Sequence, residues 1–147
     1  MKRNEFFAAL GVSAGTILLA PFLVSCSKSS MNGVTPVPPG GGTIDFTLDL
    51  TQPGNAALNS NGGSLVKNGV IVARTSNGDF VAVASACTHQ GYTIEYDNAN
   101  TRFHCPNPAP GHGSNYSTTG SVINGPAVTA LQKFTTTLTG TSLRVFA

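Results

Sequence analysis

Two cysteines and two histidines form a set of side chains that could hold a metal. Cys87 is followed two positions later by His89, and Cys105 is followed, after six intervening residues, by His112. Two thiolates and two neutral imidazoles are a complete ligand set for a mixed sulfur and nitrogen metal site. The sequence therefore predicts a metal centre whose ligands come from two separate loops.

The residues around these side chains resemble the two cluster-binding loops of the Rieske iron–sulfur family. The first family loop usually reads Cys-Thr-His-x-Gly, and residues 87–91 read Cys-Thr-His-Gln-Gly. The second usually reads Cys-Pro-x-His-Gly-Ser-x-Tyr/Phe, and its two halves match residues 105–106 and 112–116. Residues 120–127 resemble the stretch leading into the proline loop that covers the cluster in that family.

The resemblance implies one [2Fe-2S] cluster per chain. Cys87 and Cys105 would hold one iron. His89 and His112 would hold the other. Neutral imidazoles in place of two thiolates make such a cluster less negative, and its potential then lies between about −150 and +300 mV.

The same resemblance implies further residues that would contact the cluster: Gly91, Gly113, Ser114, Tyr116 and Pro126. In the family, the serine that matches Ser114 donates a hydrogen bond to a bridging sulfide. The tyrosine that matches Tyr116 donates one to a cysteine sulfur. Both bonds stabilise the reduced, more negative state, which predicts a potential in the upper part of the range.

The second loop departs from the family pattern in its length. The family places two residues between the cysteine and the histidine, whereas this chain places six, residues 106–111, of which three are proline. The prolines stiffen the insertion, and Gly111 and Gly113 allow the chain to turn back. We expect a rigid bulge that still delivers His112. Tyr92 stands where the respiratory members carry a disulfide-forming cysteine.

His104 is the third histidine of the chain and an alternative ligand to His112. Because His104 is adjacent to Cys105 on a predicted strand, its side chain should point to the opposite face. We therefore expect a surface or packing histidine.

Three other interpretations of the cysteines remain open. A disulfide between Cys87 and Cys105 would explain the two sulfurs but neither histidine. A structural zinc site with two cysteines and two histidines would explain all four side chains but not the Gly-Ser-x-Tyr segment. A Rieske-like binding domain without a cluster is the third.

The segment from residue 43 to residue 147 carries strand signals throughout. Short β-branched or alternating runs are separated by turn sequences, and no helical periodicity is sustained. The fold class predicted is all-β: a Rieske-like small antiparallel β-barrel or sandwich with a cluster-binding subdomain of two loops. The predicted strands are residues 43–50, 70–74, 80–84, 92–96, 102–105, 121–123, 131–138 and 143–146.

The composition argues against two classes of protein. Charged residues make up only 10% of the 147 residues, and the net charge of +2 has no basic cluster behind it, so nucleic acid is not expected as a partner. A helical bundle is disfavoured by the abundance of Gly, Ser, Thr and Asn.

The N-terminal segment indicates export and anchoring. Lys2 and Arg3 precede an apolar run, residues 6–24, as in a signal peptide. Residues 23–26, Leu-Val-Ser-Cys, resemble a bacterial lipobox, which predicts lipidation of Cys26. We expect a signal peptide at 1–25, a lipidated cysteine with a Pro/Gly/Ser tether at 26–42, and a Rieske domain at 43–147.

The predicted function is electron transfer by a lipoprotein of the bacterial cell envelope, anchored to the membrane outside the cytoplasm. One electron would pass from a quinol or a protein donor to an unknown acceptor. The chain would act as a carrier on its own or as a subunit of an oxidoreductase. A Rieske oxygenase is excluded, because its second iron needs two more histidines and a carboxylate, and the chain has only three histidines.

Overall fold

Two antiparallel β-sheets make up the part of the chain that the computed structural model describes, residues 43–147. The predicted signal peptide, the predicted tether and Cys26 lie outside the described residues. No helix within residues 43–147 is long and apolar enough to span a bilayer.

The described residues form ten strands and one 3₁₀ helix, Pro53–Asn59. In chain order the strands are β1 (Asp45–Asp49), β2 (Ser64–Lys67), β3 (Val70–Arg74), β4 (Phe80–Ala84), β5 (Glu95–Asp97), β6 (Arg102–His104), β7 (Asn115–Ser117), β8 (Val122–Asn124), β9 (Lys133–Thr139) and β10 (Ser142–Phe146). The larger sheet has the order β1-β10-β9-β4-β3-β2, and the smaller sheet has the order β5-β6-β7-β8. The mostly β architecture of two antiparallel sheets agrees with the predicted fold class.

Strands β3 and β4 have the bounds that the sequence predicted, whereas β2 and β7 were not predicted. Each missed strand is short and carries polar residues, so neither shows a clear apolar alternation. The hairpin between β9 and β10 turns at residues 140–141. Gly140 has φ 59°, which suits the first loop position of such a two-residue turn.

Strand β3 is buried on both of its faces. On one face of the strand, Val70 and Val72 belong to a first core, together with Phe134 and Leu143 of the same sheet. Ile71, on the opposite face of the strand, belongs to a second core against the smaller sheet. A strand covered on both sides needs apolar residues at successive positions, which is why this segment reads as a continuous apolar run.

The second core joins the smaller sheet to the larger one. Phe103 on β6 and Tyr116 on β7 are fully buried in it, next to Val83 on β4. Cys87 and Cys105 are members of the same core. The packing of the two sheets therefore sets the positions of the loops that carry the predicted ligands.

Candidate metal centre

The first ligand loop, residues 86–93, joins β4 to β5, and its ends are held by an isolated β-bridge. The Cys87 N–H donates to the Tyr92 carbonyl at 2.7 Å, and the Gly91 N–H donates to the Cys87 carbonyl at 2.7 Å. Gly91 has φ 77°, a conformation that glycine adopts without strain. This turn buries Cys87 and leaves His89 exposed.

The second ligand loop, residues 105–114, joins β6 to β7. Its base is closed by a hydrogen bond from the Cys105 N–H to the Ser114 carbonyl, 2.9 Å long, which extends the ladder between the two strands. Within the loop, the His112 N–H donates to the Ala109 carbonyl at 3.2 Å. The insertion predicted to be a bulge thus contains a turn that leads directly into His112.

Two glycines flank His112. Gly111 has φ 81° and Gly113 has φ 107°, both in the region that other residues adopt only with strain. An ideal Cβ at either position would meet no atom within 4 Å, so what glycine supplies here is backbone conformation rather than space.

The four predicted ligands meet as two pairs. The ring centroids of His89 and His112 are 4.8 Å apart, with a tilt of 51°. Cys87 and Cys105 are free thiols, 3% and 5% exposed, and both belong to the second core. A thiol pair and an imidazole pair are the donor set that a Rieske centre requires, with two ligands for each iron.

Across residues 43–147, no three His, Cys, Asp or Glu side chains are grouped as ligands of one metal ion.

His104 lies apart from the imidazole pair. It stands opposite Glu95 in the β5–β6 ladder, with its Nε2 atom 3.8 Å from Glu95 Oε2. Its Nδ1 atom is buried and has no hydrogen-bond partner among the described residues. The structure brings His112, and not His104, to His89.

The Tyr116 hydroxyl contacts the first ligand loop. This fully buried side chain places its hydroxyl 3.1 Å from Cys87 Sγ and 3.1 Å from Thr88 Oγ1. The Thr88 N–H donates to the same hydroxyl at 3.2 Å. Thr88 was not among the predicted site residues, and its position inside the Cys-Thr-His motif was the only sequence signal that could have pointed to it.

A third loop, residues 125–131, contacts both ligand loops and is called the cover loop below. The Ala127 N–H donates to Ser114 Oγ at 2.9 Å, and the Thr88 hydroxyl donates to the Thr129 carbonyl at 2.6 Å. The peptide bond between Gly125 and Pro126 is cis. Ser114, 1% exposed, accepts through its oxygen, so its own hydroxyl proton is left to donate elsewhere.

The two thiols differ in acidity. Burial disfavours the Cys87 thiolate, but hydrogen bonds from Tyr116 and from the His89 N–H hold the pKa of Cys87 below its ordinary 9.0. Burial raises the pKa of Cys105 above 9.0, and the neighbouring Cys87 raises it further. Burial and the bond to Cys87 also raise the pKa of Tyr116, so this hydroxyl keeps its proton and can donate it to sulfur.

The loops of two antiparallel sheets carry a buried pair of thiols and a nearby pair of imidazoles. This arrangement is that of a candidate iron–sulfur protein. The model of the Rieske [2Fe-2S] domain matches residues 51–135, more than half of the chain, and the chain belongs to that family. One [2Fe-2S] cluster per chain follows from this membership. The chain is a Rieske-type electron-transfer protein.

The chain is similar to iron-sulfur subunits of cytochrome b6-f complexes. It is 29% identical over 73 residues to the subunit of Chlorobaculum thiosulfatiphilum, covering 50% of this chain and 38% of that one. It is 34% identical over 62 residues to the subunit of Synechococcus elongatus, covering 42% and 32%. The matched segment thus spans about a third of the length of these curated relatives, 38% of one and 32% of the other.

A solved structure is similar over most of its own length. The cyanobacterial plasma membrane Rieske protein PetC3 from Synechocystis PCC 6803 superposes with a TM-score of 0.51 at 32% identity. The match covers 63% of this chain and 93% of that chain. This likeness supports the Rieske fold for the described residues.

Proposed function

We propose that Cys87 and Cys105 hold one iron of the cluster and that His89 and His112 hold the other. The observation that carries the proposal is the convergence of the two imidazoles from different loops, with ring centroids 4.8 Å apart. The two buried thiols of the second core complete the set. When bound, the cluster supplies reversible acceptance of one electron.

The two sides of the site differ in exposure to solvent. His89 is exposed and His112 is half-buried, whereas the two cysteines are buried in the second core. A redox partner can therefore approach the imidazole side and not the sulfur side.

The experiment that tests this function is a metal analysis of the purified full chain. We expect two irons and two acid-labile sulfides per chain, and an electron-spin spectrum of the reduced protein with a low average g value. Stoichiometric zinc without sulfide would contradict the proposal and support the structural zinc site.

The electron donor is proposed to be a quinol or a protein. Similarity to subunits of cytochrome b6-f complexes favours a role within a membrane redox complex. A free-standing tethered ferredoxin is the second candidate, and the lipobox-like sequence at Cys26 favours it. A strongly positive midpoint potential that falls with rising pH would favour the quinol; a low potential would favour the ferredoxin.

Anchoring is proposed through a lipid on Cys26, after removal of residues 1–25, in the bacterial cell envelope. Acyl chains contribute about 0.8 kcal/mol per buried methylene, so several chains on one residue would hold the protein on a membrane. We expect the full chain in the membrane fraction and the Cys26→Ser variant outside it. An unmodified Cys26 in the mass spectrum of the mature protein would contradict the anchor.

A further inference from the structure

The Thr88 hydroxyl has one proton, and that proton is already used. Thr88 Oγ1 donates to the Thr129 carbonyl of the cover loop at 2.6 Å, and a carbonyl oxygen can only accept. Any other hydrogen bond to Thr88 Oγ1 must therefore use the oxygen as an acceptor.

The Tyr116 hydroxyl also has one proton but faces two acceptors. Cys87 Sγ and Thr88 Oγ1 both lie 3.1 Å from the Tyr116 oxygen. The third contact, from the Thr88 N–H at 3.2 Å, is made by a donor and does not compete for the proton. A cysteine that holds iron is a thiolate, which can only accept.

The distances divide the proton unequally between the two acceptors. Hydroxyl-to-oxygen bonds are usually about 2.7–2.8 Å long, so 3.1 Å to Thr88 Oγ1 is a long bond. The same 3.1 Å to the larger sulfur atom of Cys87 is a close contact. Cys87 therefore receives the greater share, and Thr88 takes the remainder.

We infer that Thr88 is a positioning residue that lowers the reduction potential of the centre by competing with Cys87 for the Tyr116 proton. This inference rests on the proposed function, in which Cys87 binds iron. Donation to the sulfur stabilises the reduced, more negative state, so any share diverted to Thr88 weakens that stabilisation.

The cover loop controls this competition without touching Cys87. The Thr129 carbonyl keeps the Thr88 hydroxyl pointing away from Tyr116, which leaves the Thr88 oxygen as the competing acceptor. If that contact were lost, the Thr88 hydroxyl could turn and would no longer need to accept from Tyr116. The position of the cover loop is thus coupled to the sulfur through Thr88 and Tyr116.

The test is a double-mutant cycle on the full chain, read out as midpoint potential at constant pH. Thr88→Val removes the competing acceptor at nearly constant volume, and we expect the potential to rise. Thr88→Ser keeps the hydroxyl, and we expect the wild-type potential. Tyr116→Phe should lower the potential, and the double variant Thr88→Val/Tyr116→Phe should match Tyr116→Phe alone, because no proton is left to share.

A lowered potential in Thr88→Val, or the same shift in the presence and absence of the Tyr116 hydroxyl, would overturn the inference while leaving the iron ligands intact. Iron and sulfide contents are measured in every variant. If the wild-type chain itself lacks them, the proposed function fails and this inference fails with it. Thr88→Ala makes the same comparison should Thr88→Val not retain its iron.

Discussion

The ring centroids of His89 and His112 lie 4.8 Å apart, although His89 is in the loop between β4 and β5 and His112 is in the loop between β6 and β7. Two loops can deliver their histidines to one place only if both loops are fixed at their bases. The Cys105–Ser114 hydrogen bond fixes the second ligand loop, and an isolated bridge fixes the first. The pair is therefore a property of the fold as a whole.

Replacing His112 and His104 one at a time tests which of the two histidines is an iron ligand. We expect His112→Ser to lose most of its iron and sulfide, because it removes one of two imidazoles from the same iron. His104→Ser is the matched control, since His104 faces Glu95 on β6 and not the imidazole pair. Iron per chain is the measurement. Retention of the cluster in His112→Ser with loss in His104→Ser would reverse the assignment.

Removing the Tyr116 hydroxyl should lower the midpoint potential. A change of about 1.4 kcal/mol in the stabilisation of the reduced state corresponds to roughly 59 mV for one electron, and we expect a fall of that order. Tyr96→Phe is the control, because the Tyr96 hydroxyl is buried without a partner in the described part of the chain. That substitution should leave the potential unchanged. A fall in both variants would exclude a specific bond to Cys87.

The two cores should affect the centre differently. Ile71→Ala and Leu143→Ala each remove a buried branched side chain, and each should lower the free energy of unfolding by about 2–5 kcal/mol. Only Ile71 lies in the core that contains the two cysteines. We expect cluster loss on mild heating to accelerate in Ile71→Ala more than in Leu143→Ala. If two variants of equal free energy of unfolding lost the cluster at the same rate, the two cores would not differ in their effect on the centre.

A side chain at Gly113 should disturb the backbone next to His112. Gly113 has φ 107°, a conformation that alanine adopts only with strain. Although a Cβ would meet no atom within 4 Å, Gly113→Ala should therefore lower the free energy of unfolding by about 1–3 kcal/mol. Gly54→Ala is the control, since that glycine lies in the 3₁₀ helix and a Cβ there also meets nothing. We expect a lower thermal midpoint and less iron in Gly113→Ala only. Unchanged values would mean that the loop tolerates another path.

Acid should weaken the β5–β6 hairpin through Asp97. Hydrogen bonds from the Asn100 side chain and from Arg102 hold the pKa of Asp97 below its ordinary 3.8. The folded state therefore prefers the ionised form, and this stabilisation is complete above the ordinary pKa. It is lost as pH falls through the lower folded value. The thermal midpoint of Asp97→Asn should fall less steeply below pH 4 than that of the wild type; parallel curves would contradict this.

The sequence predicted the strands that have a clear pattern and missed those that do not. β3 and β4 are apolar runs bounded by turn residues, so their limits could be read directly. β7 consists of Asn115, Tyr116 and Ser117, whose pairing with β6 and β8 comes from tertiary structure rather than from local propensity.

The residues of the candidate site likewise differ in how far the sequence could predict them. The ligand set, with His112 in place of His104, is a prediction from the motif and from strand alternation. The contact between Thr88 and Thr129 could not be predicted, because it joins loops that are far apart in sequence and depends on how the cover loop packs. Hydrogen bonds of this kind become visible only once the chain is folded.

The base of the second ligand loop has a consequence for how such a loop can change. The Cys105–Ser114 hydrogen bond closes the hairpin before the proline-rich segment begins, so the direction in which the chain leaves and re-enters the sheet does not depend on the number of residues beyond. The length of the loop can therefore change, by evolution or by engineering, without a change in the sheet. A longer or shorter segment could reshape the surface offered to a partner while the ladder beneath it stays the same.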